Sequence, residues 1–347
     1  MTDLKSETTE RPASALAALR RAARRLAGAA GQDDLARIDA RMKRVEKDLR
    51  TSVNLNRKTL KLLARQSRRL EALLGEKGAE RQLRQANLGI QALLRRAFMA
   101  PGSVEPPYDL LAQRFRVLSQ NEEDGIVWAL FQVVGPTTRT FVEIGSGVNG
   151  GNSGFLAKEC GWSGLMVDAG EDRIAHLSQR FDRSRVRAEA AWVTPETVND
   201  LLARHGLAGE IDLLSIDIDS CDYWVWQALT VASPRVVVIE YNADFGTERA
   251  VTVPYSPAFD REACGDKRYY GASLPALVHL GARKGYRLVL VEPTGVNAFF
   301  VRNDVGRELP AVVPPTLPPE PSGEEDVFAA CARLNLPLVD VDATDPS

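Results

Sequence analysis

Residues 141–154 read FVEIGSGVNGGNSG. An apolar, β-branched run ends in a glycine-dense turn, and a helical pattern follows. Gly145, Gly147 and Gly150 make a G-x-G-x-x-G turn, where missing side chains permit a tight bend and let a ligand approach the backbone. Working outward, 140–145, 164–168, 186–192, 211–217 and 235–241 are short strand candidates separated by helix-length segments. That alternation predicts a parallel, doubly wound sheet. Two more strands, 286–292 and 296–302, are joined only by Pro293, Thr294 and Gly295, which predicts an antiparallel hairpin. The expected fold of 109–307 is α/β: a doubly wound, mostly parallel seven-stranded, Rossmann-like sheet with an antiparallel C-terminal hairpin.

The flanks differ in character. Residues 1–100 carry 23 Lys and Arg against 11 Asp and Glu; the remaining residues carry 21 against 35. The overall charge of −2 therefore hides two regions with different jobs. In the basic region Leu35, Ile38, Met42, Val45 and Leu49 repeat at heptad spacing. After a stutter at Val53 the seam resumes at Leu60, Leu63, Leu70 and Leu74, with polar Asn56 and Ser67 between. The pattern predicts an α-helical coiled coil preceding the sheet domain, and hence a homo-oligomer. Its basic face also suits peripheral contact with a membrane surface, while the lack of interleaved aromatics argues against nucleic acid. PGSVEPPY at 101–108 reads as a linker, and 308–347 as a Pro-rich tail with a short helix in EEDVFAACARLN.

No apolar run approaches the roughly 18 residues of a membrane span. The start lacks a secretory pattern, and its acids Asp3, Glu7 and Glu10 do not fit a transit peptide. Cys160, Cys221, Cys264 and Cys331 are widely spaced, which fits neither a disulfide framework nor a zinc knuckle. These features predict a cytoplasmic chain without a transmembrane segment.

Acids at 143, 168, 217 and 219 fall near the carboxyl ends of the predicted strands, where open α/β sheets bind ligands. Asp168 stands where a carboxylate accepts hydrogen bonds from ribose hydroxyls. Glu143 discriminates between cofactors. A carboxylate beside the turn repels a dinucleotide pyrophosphate but favours the ammonium and sulfonium of S-adenosylmethionine.

Glu143-x-Gly145-x-Gly147 after a strand, Asp168 ending the next strand and the terminal hairpin together resemble class I S-adenosylmethionine-dependent methyltransferases, over about residues 115–303. SQNEEDGI at 119–126, followed by VEIGSG and GWSGLMVDA, is similar to the start of the FkbM-like methyltransferases and their relatives. The resemblance implies that Gly145, Ser146 and Gly147 line the cofactor. It implies that Glu143 faces the methionyl end, Asp168 the ribose, and Trp192 and Val193 the adenine. Trp192 equally fits an ordinary core position. The same resemblance implies O-methylation of a small-molecule or glycan acceptor: a sugar, polyol or secondary-metabolite hydroxyl.

The fourth strand ends in LLSIDIDSCDYWVW, 213–226, and the fifth in IEYN, 239–242. Three readings stay open. Asp217 or Asp219, with Glu240 and Asn242, supplies hard oxygens suited to Mg²⁺, Asp219 being the first choice. Alternatively Asp219 is a general base and Asp217 faces the cofactor. Alternatively the acids are structural, with Asp219 or Ser220 capping a helix that begins near Asp222. Tyr223, Trp224 and Trp226 read as packing residues. The long irregular link after 243 predicts a lid at 244–272, with Tyr255 and Tyr270 as acceptor contacts. Two rivals compete with the methyltransferase: an NAD(P)-binding oxidoreductase, and a non-catalytic coiled-coil scaffold with a nucleotide-binding domain.

Overall fold

A computed structural model describes residues 104–106, 108–182, 184–309, 311–312 and 325–342. The predicted coiled coil at 1–100 and most of the Pro-rich stretch of the tail lie outside the described residues. All seven predicted strands form, as β1 (Thr140–Ile144), β2 (Ser163–Asp168), β3 (Arg185–Ala190), β4 (Gly209–Ile216), β5 (Ala232–Glu240), β7 (Tyr286–Val291) and β8 (Asn297–Arg302). They make one sheet in the order β3-β2-β1-β4-β5-β8-β7. β1 to β5 are parallel, and β8 enters antiparallel between β5 and β7. Two short strands not expected from the pattern, β6 (Val251–Thr252) and β9 (Val339–Asp340), form a separate antiparallel pair.

The central strands are apolar on both faces because both faces are covered. Val142, Ile144, Leu214, Ile216, Val237 and Ile239 point to one side. They pack against α4 (Val198–Arg204), α5 (Asp222–Ala228) and α6 (Leu274–Arg283). The alternate residues Phe141, Leu213, Val236, Val238 and Phe299 point to the other. There they meet α1 (Glu123–Val134), α2 (Gly154–Glu159) and α3 (Glu171–Arg180). Ser273 begins α6 as its sequence suggests: its side chain accepts from Ala276 N–H at 3.3 Å, with Pro in the first turn.

A third, smaller core ties the long link to the C-terminal segment. Phe245, Val251, Val253 and Tyr269 are buried with Val327 and Cys331 of α7 (Val327–Leu334). The Tyr269 hydroxyl donates to the Pro337 carbonyl at 2.5 Å, and Arg268 donates to the Glu325 carbonyl at 2.6 Å. The residues read as a lid are thus fastened from behind by sequence some 60 residues later.

Candidate functional site

A cleft of about 560 Å³ opens at the carboxyl ends of β1, β2 and β4, lined by Gly145, Gly147, Asp168, Trp192, Val193, Asp217 and Asp219 among others. The glycine turn forms its near wall. Gly145 has φ +89°, and a side chain there would place its Cβ 1.6 Å from the Asp217 carbonyl oxygen, so only glycine fits. The turn is pinned to β2: Gly145 and Ser146 N–H both donate to the Val167 carbonyl, at 2.9 and 3.0 Å. Asp168 clamps the same turn, accepting from Gly147 N–H at 3.0 Å and Gly170 N–H at 2.9 Å. Arg173 also donates to this carboxylate.

Two expected cofactor contacts are placed elsewhere. Glu143 is fully buried beneath the turn instead of facing the cleft. Its carboxylate accepts from Asn152 N–H at 3.2 Å and Ser153 N–H at 2.9 Å. A side chain on Gly151 (φ +56°) would lie 2.0 Å from Glu143 Oε1. The physical reason is strand alternation: Glu143 shares a face with Phe141, under α2. Burial pushes its carboxyl up to about 7, against the pull of its hydrogen bonds from Ser153, Ser215 and Asn152. Ser146 likewise turns inward and donates to the Val167 carbonyl. Trp192, by contrast, is 57% exposed and lines the cleft, so core packing is not its role.

The β4 and β5 ends build an acidic floor. Ile216 pairs with Ile239, so Asp217 and Glu240 stand side by side one step further on, and Glu240 pairs in turn with Asn297 of β8. All three share the α1 face, beyond Leu213, Val238 and Phe299. Asp217 lies within hydrogen-bonding reach of Glu240. Burial raises both carboxyls, and the surrounding acids raise them further: Asp222, Asp219 and Glu143 act on Asp217; Asp217, Asp222 and Asp219 act on Glu240. The pair therefore holds a proton at pH values where an isolated carboxyl would not.

The remaining acids have different partners. Asp219 sits in left-handed backbone (φ +54°) and is ion-paired with Arg261, whose guanidinium lies 3.6 Å from the centre of the Tyr270 ring. Asp222 begins α5, but neither Asp219 nor Ser220 caps that helix. Asp222 itself reaches back to accept from Ile218 N–H at 2.9 Å and Ser220 N–H at 3.1 Å, fixing the turn that carries Asp217 and Asp219. Tyr223 and Trp226 are buried, as their aromatic run suggests, and Trp224 donates to the Val253 carbonyl at 2.8 Å.

The Mg²⁺ ligand set does not assemble. The Asn242 side chain is turned into the link, donating to the Arg268 and Tyr270 carbonyls at 2.6 and 2.9 Å and accepting from Asp244 N–H at 3.0 Å. β5 ends at Glu240, and Asn242, two residues on, caps the short turn Ala243–Phe245 instead. Asp219 is held by Arg261. Among the described residues no group of three or more His, Cys, Asp or Glu has the arrangement to hold a metal ion. Tyr255 and Tyr270 also do not line the cleft: Tyr255 donates to Glu196 at 2.6 Å, and Tyr270 lies under Arg261.

Neither a protein-family profile nor a curated protein sequence matches the chain. Solved structures do resemble it. The methyltransferase domain of bacterial CtHen1-C is 14% identical over 55% of this chain and 98% of its own, with a TM-score of 0.35. The N-terminal domain of EvdMO1 with SAH bound is 13% identical over 61% and 94%, with a TM-score of 0.34. A TehB-like SAM-dependent methyltransferase from Corynebacterium glutamicum is 14% identical over 51% and 86%, with a TM-score of 0.31.

Several cleft residues were not singled out by motif. Gln120, Asn149, Asn152 and Arg173 line the cleft, and so does Asn297. Asn297 carried a signal, since a lone amide opening an apolar strand, NAFFVR, is the polar exception there. Its neighbour Glu123, fully buried, lies 174 residues away in sequence, and only the fold brings the two together.

Proposed function

We propose that this chain is an S-adenosylmethionine-dependent methyltransferase acting on a hydroxyl of a sugar, polyol or secondary metabolite. One observation carries the choice of cofactor. A dinucleotide site needs free N–H groups at the helix after the glycine turn to receive the pyrophosphate. Here the Asn152 and Ser153 N–H groups are taken by Glu143. The cleft presents Asp168, Asp217 and Asp219; Arg173 is bonded to Asp168 and Arg261, outside the lining, to Asp219, and Asp217 faces the cleft with no base on it. Such a surface favours a cationic ligand and disfavours an anionic one.

In this reading Asp168 accepts the ribose hydroxyls in place of its long Arg173 contacts, keeping its bonds from Gly147 and Gly170 N–H. Trp192 and Val193 hold the adenine. The cofactor supplies a methyl group on an electron-poor sulfur. Asp217, the member of the carboxyl pair that faces the cleft, takes the acceptor hydroxyl proton, a task suited to a carboxyl raised by burial. Alignment of acceptor and methyl supplies most of the remaining rate.

Thermal denaturation with S-adenosylhomocysteine or NAD tests the cofactor. S-Adenosylhomocysteine should stabilise the protein, by about 2.7 kcal/mol at a hundredfold excess over its dissociation constant. NAD should leave the midpoint where it is. Stabilisation by NAD alone overturns the reading.

A further inference from the structure

The acidic floor continues past the place a cofactor would fill. Gly145, Asp217, Glu240 and Asn297 occupy neighbouring positions across β1, β4, β5 and β8. Strands lie about 4.8 Å apart, so Glu240 stands roughly 10 Å from the glycine turn and Asn297 roughly 14 Å. Two buried oxygens at this far end receive no N–H or hydroxyl donor. Glu240 is 8% exposed, lies behind the cleft-lining Asp217 with which it shares a carboxyl contact, and has no N–H or hydroxyl donor to its Oε2; Asn297 is 2% exposed, lines the cleft, and its Oδ1 is unpaired. The orientation of the Asn297 amide is fixed by chemistry. Its Nδ2 donates to Glu123 Oε1 at 3.1 Å, and a carboxylate requires the donor end. The carbonyl end is what remains for a ligand.

A buried acceptor left without a donor is costly. Among the described residues none of Glu123, Glu143, Asp217 and Glu240 forms a salt bridge with a Lys or Arg; the Arg261 charge, paired with Asp219, acts on Glu240 only from a distance. Nearby, the Arg261 guanidinium between Asp219 and Tyr270 shows that an organic cation is already at home beside these acids. What would satisfy Glu240 Oε2 and Asn297 Oδ1 together is a group with several N–H donors and a positive charge. An ammonium has both, whereas a hydroxyl has one donor and no charge. A divalent metal fits less well, because hard cations want about six oxygens and Asn242 is committed elsewhere.

We infer that Glu240 and Asn297 form a recognition subsite for a protonated amine, so that the acceptor hydroxyl belongs to an amine-bearing molecule such as an amino alcohol or amino sugar. This rests on the methyltransferase reading for the word acceptor, but the subsite can be tested without it. The probes are matched pairs, ethanolamine with ethylene glycol and glucosamine with glucose. They are titrated into the full chain, with and without S-adenosylhomocysteine, and read by thermal denaturation and calorimetry.

Each amine is expected to raise the midpoint and bind at least tenfold tighter than its neutral partner. The preference should fall at least tenfold in Glu240→Gln. Equal response to both members of each pair overturns the inference, and the wild-type comparison stands even where a variant fails to fold. A shift by magnesium chloride without a shift by either amine overturns it in favour of a metal site. An amine preference that survives Glu240→Gln overturns the assigned position. Amine discrimination without any response to S-adenosylhomocysteine would leave the subsite standing and sink the cofactor reading alone.

Discussion

Asp217 and Trp192 show what single residues contribute here. Asp217 is the cleft-facing half of a buried carboxyl pair, and Asp217→Asn removes both the proton acceptor and the repulsion that opposes ionisation of Glu240. Once the true acceptor is in hand, this variant should lose 10²–10⁴-fold in kcat, the usual worth of a general base. Its thermal midpoint should stay the same or rise, because repulsion within the pair is relieved. A loss of activity that tracks a loss of fold would refute the assignment. Trp192 stands at the mouth of the cleft with little holding it, so Trp192→Ala should not move the midpoint. Calorimetry should show S-adenosylhomocysteine binding weakened by about 0.5–1.5 kcal/mol, the increment of an aromatic stacking pair.

The glycine turn is the element on which the site depends, and its support is unusual. Glu143 holds it from beneath by two backbone N–H groups, and Gly151 is there because a side chain would collide with that carboxylate. Gly151→Ala combines a left-handed backbone, worth about 1–3 kcal/mol of strain, with that collision. A double-mutant cycle separates the two. The cost of Gly151→Ala, measured by urea unfolding, should shrink in a Glu143→Ala background by the share owed to contact. Strictly additive effects would mean that the carboxylate does not set the turn. The position of Glu143 was half legible in sequence. Its place two residues before Gly145 marks it as part of the turn, but period-two alternation on β1, counted from Phe141, decides that it points beneath the turn.

At the scale of the molecule, Glu143, Asp217 and Glu240 share a consequence. All three carboxyls titrate at higher pH when folded than when unfolded, because burial opposes their ionisation. Between the ordinary carboxylate range and the raised values the folded state holds more protons, so stability falls as pH rises. Surface acids bonded to Arg, such as Glu210 and Asp304, titrate lower when folded and act oppositely, losing stability in acid. Their window lies below the ordinary carboxylate range. Urea unfolding should therefore show the ligand-free protein more stable near pH 5 than near pH 8. The fall should pass through about 7, where Glu143 titrates, and should flatten in Glu143→Gln. A flat profile in the unaltered protein would show that the acids are better solvated than their burial implies.

The division between sequence and structure follows from range. Local chemistry sufficed for the seven strands, the glycine turn, the hairpin through Pro293–Gly295 and the Ser273 cap, because each is set by residues within a few positions of one another. It also placed Asp168, Trp192, Val193 and Asp217 near the carboxyl ends of the strands, where they line the cleft. It could not separate Glu240 from Asn242, two residues apart on one strand end, because their fates depend on Asn297 and on the carbonyls of Arg268 and Tyr270. It did not anticipate β6 pairing with β9, or Phe245 and Tyr269 buried against α7, because those contacts close loops of 60 residues or more. The sequence by itself determined which groups the cleft could draw upon. Only the packing of distant segments decided which of them face it, since the partners that hold Glu240, Asn242 and Asp219 come from positions far along the chain.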